Sequence, residues 1–133
     1  MNDKSNPKLE DFFKRLRSLC GFSTSSIMTV NSRDASGDTP LHIASIWGDI
    51  DAIETLLAAG ADINARGDMN CTPLHYAVSQ NKVEAAKSLI KHGALLDIKD
   101  EISGWTPVDK ARLSENEEIK NLFKVSGKNG QAE

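Results

Sequence analysis

The sequence is poor in aromatic residues and in cysteine. Four phenylalanines, two tryptophans and one tyrosine are present among 133 residues, which is too few for an aromatic-rich core, so packing should depend on Leu, Ile and Ala. The two cysteines, Cys20 and Cys71, have no metal-ligand spacing, and we expect both to be free thiols in a reducing compartment. No continuous apolar run is found near the N-terminus, so the sequence predicts neither a secretory signal nor a membrane span.

Motifs for catalysis and cofactor binding are also missing. The sequence contains no glycine-rich phosphate loop, and neither cysteine has a nearby base and orienting group for nucleophilic catalysis. His42 and His75 occupy equivalent positions, but no acid or cysteine joins them in a ligand spacing, so structural hydrogen bonds are favoured over a metal site. The sequence therefore predicts no enzyme activity, no cofactor and no metal.

Positive charge is scarce in the centre of the chain. The net charge is −3, and residues 34–100 carry five Lys and Arg against ten Asp and Glu. Such an acidic region does not suit a phosphate backbone. Nucleic-acid binding is therefore not expected there.

The most informative feature of the chain is a repeat. Thr39–Ala44 reads Thr-Pro-Leu-His-Ile-Ala, Thr72–Ala77 repeats it with one change, and Thr106–Ala111 is a degenerate copy, Thr-Pro-Val-Asp-Lys-Ala. Successive copies begin 33 and 34 residues apart. This period indicates a stack of similar units, each unable to bury its apolar face alone.

Each copy predicts a pair of helices. The Thr is a predicted N-cap and the Pro takes the first helical position. Helices are therefore expected to begin at Pro40, Pro73 and Pro107. A second helix with an apolar stripe follows in each unit and is expected to end at a glycine. These glycines are Gly60, Gly93 and Gly127.

An amphipathic helix is predicted upstream of the first copy, from Leu9 to Cys20. Its apolar face lies opposite Lys8, Lys14, Arg15 and Arg17, as in a surface helix. We interpret it as a cap that covers the apolar side of the first unit. The alternative is a helix that lies on an anionic membrane or docks into a groove of another protein.

Together these features resemble the ankyrin repeat, whose pattern is Asp-x-x-Gly-x-Thr-Pro-Leu-His-x-Ala, a glycine, a Leu-rich helix and Gly-Ala-Asp-x-Asn. The resemblance covers about residues 29–127. It implies an all-α helical solenoid of three repeats, with an N-terminal capping helix and projecting β-turn fingers. The expected boundaries are a disordered tail at 1–7, the capping helix and entry loop at 8–33, repeats at 34–66, 67–99 and 100–127, the last a C-terminal cap, and a disordered tail at 128–133.

The second and third units depart from this pattern in their fingers. Gly67 and Asn70 stand where the family has Asp and Gly, and because Asn tolerates the left-handed region, the turn is expected to survive. The third unit has one additional residue between Asp100 and Ser103, which predicts a bulged tip. It also carries Asp109 in place of the family's His, which should weaken the tie between neighbouring turns.

Members of this family typically bind other proteins through a concave face made of fingers and first helices. Carried over position by position, the resemblance implies ten outward-facing residues for partner binding. They are Asp38, Ile46, Trp47, Asp68, Met69, Cys71, Gln80, Ile102, Trp105 and Leu113. We expect Trp47, Met69, Ile102 and Trp105 to act as anchors on one face, rimmed by Asp38, Asp68 and Glu101. The alternative is that each tryptophan only shields its own turn.

The resemblance implies a non-catalytic module that binds another protein. We expect it to act as a cytoplasmic monomer. The alternatives are a regulatory or inhibitory subunit of an enzyme, and a membrane-docked adaptor that uses the basic N-terminal helix. The sequence does not identify the partner, because one fold serves many functions. It also leaves open export to another cell by a route without a cleavable signal.

Overall fold

A computed structural model describes residues 6–19, without the side chain of Leu19, and residues 28–123. Seven helical segments and no strand are present in these two ranges. The segments are α1 (Pro7–Leu19), α2 (Pro40–Trp47), α3 (Ile50–Ala58), α4 (Pro73–Ser79), α5 (Val83–Lys91), α6 (Pro107–Arg112) and α7 (117–123). A 3-10 turn also lies at Asp68–Asn70.

The predicted helix starts at Pro40, Pro73 and Pro107 are confirmed. At the start of α2, the Thr39 hydroxyl accepts a hydrogen bond from the His42 amide, and Nδ1 of His42 accepts one from the Thr39 amide at 3.1 Å. This reciprocal capping box satisfies two backbone donors that would otherwise have no partner. The same arrangement begins α4 and α6.

Glycines end the helices where the sequence predicts. Gly48 has φ of 72° after α2, and Gly60 and Gly93 have φ of 98° and 94° after α3 and α5. A side chain would be strained in this left-handed region. Gly127 lies outside the described residues.

The helices form a two-row stack with one continuous core. In one row α2 packs on α4 and α4 on α6, and in the other α1 packs on α3 and α3 on α5. Leu56 and Leu89 are completely buried, while Leu57 and Ile90 are half-buried against the same cluster. The core thus runs across the unit boundaries, as expected for a solenoid.

Helix α1 covers the first unit. Phe12, Phe13 and Leu16 are buried in the common core. Its basic face meets α3 through ion pairs of 3.0 Å between Lys8 and Asp51 and 3.3 Å between Arg15 and Asp49. The geometry is that of the predicted cap, although the helix begins at Pro7, inside the predicted tail, and Cys20 lies outside the described residues.

The predicted tails are mostly beyond the described part of the chain, which leaves out residues 1–5 and 124–133. Within the part that is described, no helix is both long and apolar enough to cross a membrane.

Candidate protein-interaction surface

Three finger loops precede α2, α4 and α6, and a backbone hydrogen bond closes each one at its base. The first joins Asp34 N to Asp38 O at 2.8 Å and the second joins Gly67 N to Cys71 O at 2.8 Å. The third finger is one residue longer and is closed from Asp100 N to Trp105 O at 3.0 Å. The predicted extra residue is therefore absorbed at the finger tip.

Polar side chains tie the first unit to the second. The Arg33 guanidinium donates to Arg66 O at 2.8 Å, and the ring of His42 donates through Nε2 to Cys71 O at 2.8 Å. Asp38 accepts from the Asp68 amide at 2.9 Å. Each of these bonds fixes backbone in the second finger.

A second set of bonds ties the second unit to the third. Nε2 of His75 donates to Trp105 O at 3.0 Å, and the side-chain Nδ2 of Asn70 donates to Lys99 O at 2.9 Å. The backbone N of Glu101 donates to Met69 O at 2.8 Å. The structural role predicted for His42 and His75 is confirmed. The finger row is fixed before any partner is bound.

The expectation that Asp38 faces outward is wrong. Its side chain is buried and accepts hydrogen bonds from the Tyr76 hydroxyl at 3.0 and 3.1 Å as well as from the Asp68 amide. The residue before Thr-Pro therefore points toward the following unit and not toward a partner. Asp38 forms no part of an exposed acidic rim.

Cys71 is also buried, contrary to expectation. It occupies the position equivalent to Asp38, and the third unit covers it. Burial, followed by the nearby carboxylate of Asp100, raises the pKa of the Cys71 thiol to about 11. The thiol is thus protonated and inert near neutral pH.

Trp47 and its neighbour Ile46 are half-buried, not exposed. The ring of Trp47 packs edge-on against Phe12 of α1 with centroids 5.7 Å apart, and the Arg15 guanidinium carbon lies 4.9 Å from its centroid. These contacts are with the capping helix, so they match neither the expected outward-facing position nor the alternative of a tryptophan that shields only its own turn. Sequence reasoning missed them because the capping helix is distant in the chain.

The other predicted contact residues are exposed. Asp68 and Gln80 are open to solvent, and four large apolar side chains accompany them on the second and third units. Their exposed fractions are Met69 50%, Ile102 71%, Trp105 39% and Leu113 64%. Sequence reasoning did not identify Leu95, which is 50% exposed in the loop after α5.

The tip of the second finger has an unusual backbone. Asn70 adopts the expected left-handed conformation with φ of 63°, and Met69 before it has φ of 54°. A methionine in this region costs free energy that a glycine would not. The fold therefore holds an exposed apolar side chain at the tip at some expense in stability.

A shallow groove runs between α4 and α6, below the third finger. Its volume is about 370 Å³. It is lined by Val78, Ser79, Asn81, Trp105, Lys110, Ser114 and Glu115. We call the groove together with Asp68, Met69, Gln80, Ile102 and Leu113 the second-to-third-unit surface.

A buried ion pair supports the third finger beside this groove. The Asp100 carboxylate is fully buried and lies 3.1 Å from Nζ of Lys110. Burial alone would raise the pKa of Asp100, but hydrogen bonds from Ser103 and Lys110 outweigh it and hold the pKa well below its ordinary value. Asp100 therefore stays ionised, and the charge of Lys110 is neutralised locally.

The described residues contain no group of three or more His, Cys, Asp and Glu side chains able to hold a metal ion. Burial lowers the pKa of His42 and of His75. Both rings already have hydrogen-bond partners at each nitrogen. Both histidine side chains therefore have a structural role.

Comparison with protein families gives two matching family models, both described as ankyrin repeats in many copies. The first matches residues 11–57 and 41–87, and the second matches residues 66–111. Together they cover residues 11–111, which include most of the capping helix, all three fingers, the helices of the first two units and most of α6.

Proposed function

Because the chain belongs to the ankyrin-repeat family, we propose that it is a non-catalytic module that binds a partner protein through the second-to-third-unit surface. Ankyrin repeats are generally protein-protein interaction modules, and the family is typically non-catalytic. One observation supports the choice of this surface. Met69, Ile102 and Trp105 expose apolar side chains on fingers whose backbone is already fixed by hydrogen bonds.

Pre-organisation favours binding at this surface. The bond from Glu101 N to Met69 O and the bond from His75 to Trp105 O hold the two fingers in one arrangement. Little backbone entropy is then lost on association. With two fingers and two short helices, the contact would cover roughly 600 to 800 Å² on each partner, so affinity depends on a few apolar anchors.

The membrane-adaptor alternative is disfavoured by the position of α1. Its apolar residues Phe12, Phe13 and Leu16 are buried in the core, so they are not available to a lipid surface. An enzyme regulated by this chain would be one kind of partner for the same surface. The proposal includes a monomer. It also includes a reducing compartment, in which a free thiol such as that of Cys71 persists.

Site-specific photocrosslinking tests the proposed face. A photoreactive phenylalanine analogue is introduced at Ile102 or, as a matched control, at Leu95, which is exposed in the loop after α5 and is not one of the residues of this surface. In source cells, we expect a defined adduct from position 102 and none from position 95. The Trp105→Ala change should remove the adduct while the melting temperature stays close to that of the parent. Adducts from position 95 alone would overturn the proposal.

A further inference from the structure

We propose that the second-to-third-unit surface takes a basic peptide segment of the partner, in which a large apolar side chain enters the groove beside Trp105 and an adjacent Lys or Arg meets Glu115. This inference rests on the proposed function and specifies the chemistry of the partner. It follows from the apolar wall, the polar floor and the uncompensated charge of the groove.

The wall of the groove suits one large apolar side chain. The indole of Trp105, which remains 39% exposed, forms the apolar side of the groove, and Val78 of α4 borders it but is itself almost fully buried. The groove volume of about 370 Å³ lies at the lower end of the range for ligand pockets. Filling it with an apolar side chain would remove the exposed face of Trp105 from water, which is the kind of contact that dominates interface energies.

The floor of the groove offers hydrogen bonds to an extended backbone. Asn81 has φ of 60° in the turn after α4, and its Oδ1 accepts from the Ser114 hydroxyl at 3.4 Å. Its Nδ2 has no acceptor among the residues that the structure describes. Nδ2 of Asn81 and the exposed Ser79 are therefore free to bond a peptide carbonyl or amide.

The uncompensated charge at the groove is negative. Lys110 is the only cation among the described residues that line it, and Asp100 already neutralises this ammonium at 3.1 Å. Glu115 in the lining, and Glu101 and Asp68 on the fingers above, make no ion pair within residues 6–19 and 28–123. A cation on the partner would find a carboxylate here without having to displace another cation.

Lys99 is not one of the residues that line the groove. It belongs to the base of the third finger, and its field acts on Asp109. Asp109 occupies the position of His42 and His75, whose side chains face the following unit. The groove lies on the opposite side of α6, toward α4, so an acidic or phosphorylated segment would meet carboxylates there.

Selection from a displayed random dodecapeptide library tests this chemistry. On the wild-type protein, we expect enriched sequences to carry a large apolar residue within two positions of Lys or Arg. The Trp105→Ala variant should weaken the best synthetic peptide about tenfold or more. Glu115→Gln should weaken it about two- to fivefold, with a smaller dependence on salt, and Leu95→Ser should leave it unchanged. In amide spectra, the bound peptide should shift Ser79, Asn81 and Ser114.

Acidic or charge-neutral enriched sequences, or no enrichment, would overturn the inference. So would a basic peptide whose affinity is the same for wild type, Trp105→Ala and Glu115→Gln. The proposed function would survive these results if crosslinking from position 102 still captured a partner. Loss of crosslinking at position 102 with peptide binding elsewhere would instead remove the proposed face itself.

Discussion

The hydroxyl of Tyr76 donates to both carboxylate oxygens of Asp38, at 3.0 and 3.1 Å, and so joins α4 to the first finger. Burial and the Asp38 carboxylate raise the pKa of Tyr76, so the hydroxyl stays protonated and able to donate. The Tyr76→Phe change removes this donor and leaves a buried carboxylate under-bonded. We expect a loss of about 1 to 3 kcal/mol in the free energy of unfolding, measured by urea denaturation.

A double-mutant cycle isolates this pair. If the hydrogen bond carries the effect, Tyr76→Phe should cost much less in an Asp38→Ala background, where no side-chain oxygen is left to accept from the hydroxyl, with a coupling energy of about 0.5 kcal/mol or more. Additive effects of the two changes would contradict the bond.

Gly67 allows the first two fingers to approach each other. A Cβ at this position would clash with Oδ1 of Asp38 and lie 2.9 Å from Nε2 of His42. We expect Gly67→Ala to cost about 1 to 3 kcal/mol through overpacking. Gly37→Ala is a contrasting variant. Gly37 has φ of 97° and a Cβ there would meet no atom within 4 Å, so it reports backbone strain alone, whereas Gly67 has φ of −104° and should report overpacking alone. A cost close to zero for Gly67→Ala, measured by thermal melting, would argue against the close approach.

Acid should weaken the stack through its buried histidines. Burial lowers the pKa of His42 and His75 below the ordinary 6.5, so the unfolded chain binds these protons more readily than the folded one. The stability that depends on these two neutral rings is fully present above the ordinary pKa of 6.5. It is lost as the pH falls from that value toward the lower pKa of the folded state. The urea concentration at half-unfolding should therefore decrease as the pH is lowered from about 7 to about 5.

The His42→Gln, His75→Gln double variant provides the comparison. Glutamine retains a side chain that can complete the capping box but does not titrate. We expect the variant to be less stable than the parent at pH 7 and to show a flatter dependence on pH. If the stability of the variant depended on pH as steeply as that of the parent, the loss of stability in acid would come from other groups.

The capping helix should be required for stability. Phe12→Ala removes a buried ring that packs against Trp47, and we expect a cost of about 3 to 5 kcal/mol. Lys14→Gln changes an exposed residue on the same helix and should have almost no effect. Chemical denaturation followed by circular dichroism measures both. Near-wild-type stability of the Phe12→Ala variant would favour a separate role for this helix.

The repeat motif predicted the helix starts because local chemistry decides them. A Thr hydroxyl followed by Pro sets the cap, and a glycine with positive φ follows α3 and α5. The capping role of α1 was also predictable, since Phe12 and Leu16 share one apolar stripe. These features depend on residues only a few positions apart.

The direction of side chains at the unit boundaries was not predictable in the same way. Asp38, Cys71 and Trp105 hold equivalent positions before Thr-Pro, yet only Trp105 is exposed. The difference arises because the next unit covers the first two, and the structure describes no further unit beyond the third. Trp47 was misjudged for a related reason, since its partner Phe12 lies 35 positions earlier in the chain.

Among the described residues, the bonds between units join immediate neighbours, as from His42 to Cys71 and from His75 to Trp105. Asp109, at the same place in the third unit, makes hydrogen bonds within its own cap. Local opening should therefore begin at this end, and amide exchange should slow progressively from α6 back to α2. A ligand that bound the second and third fingers would stabilise the unit that opens most readily. Amide exchange should therefore slow across the whole of that unit, and not only at the residues that contact the ligand.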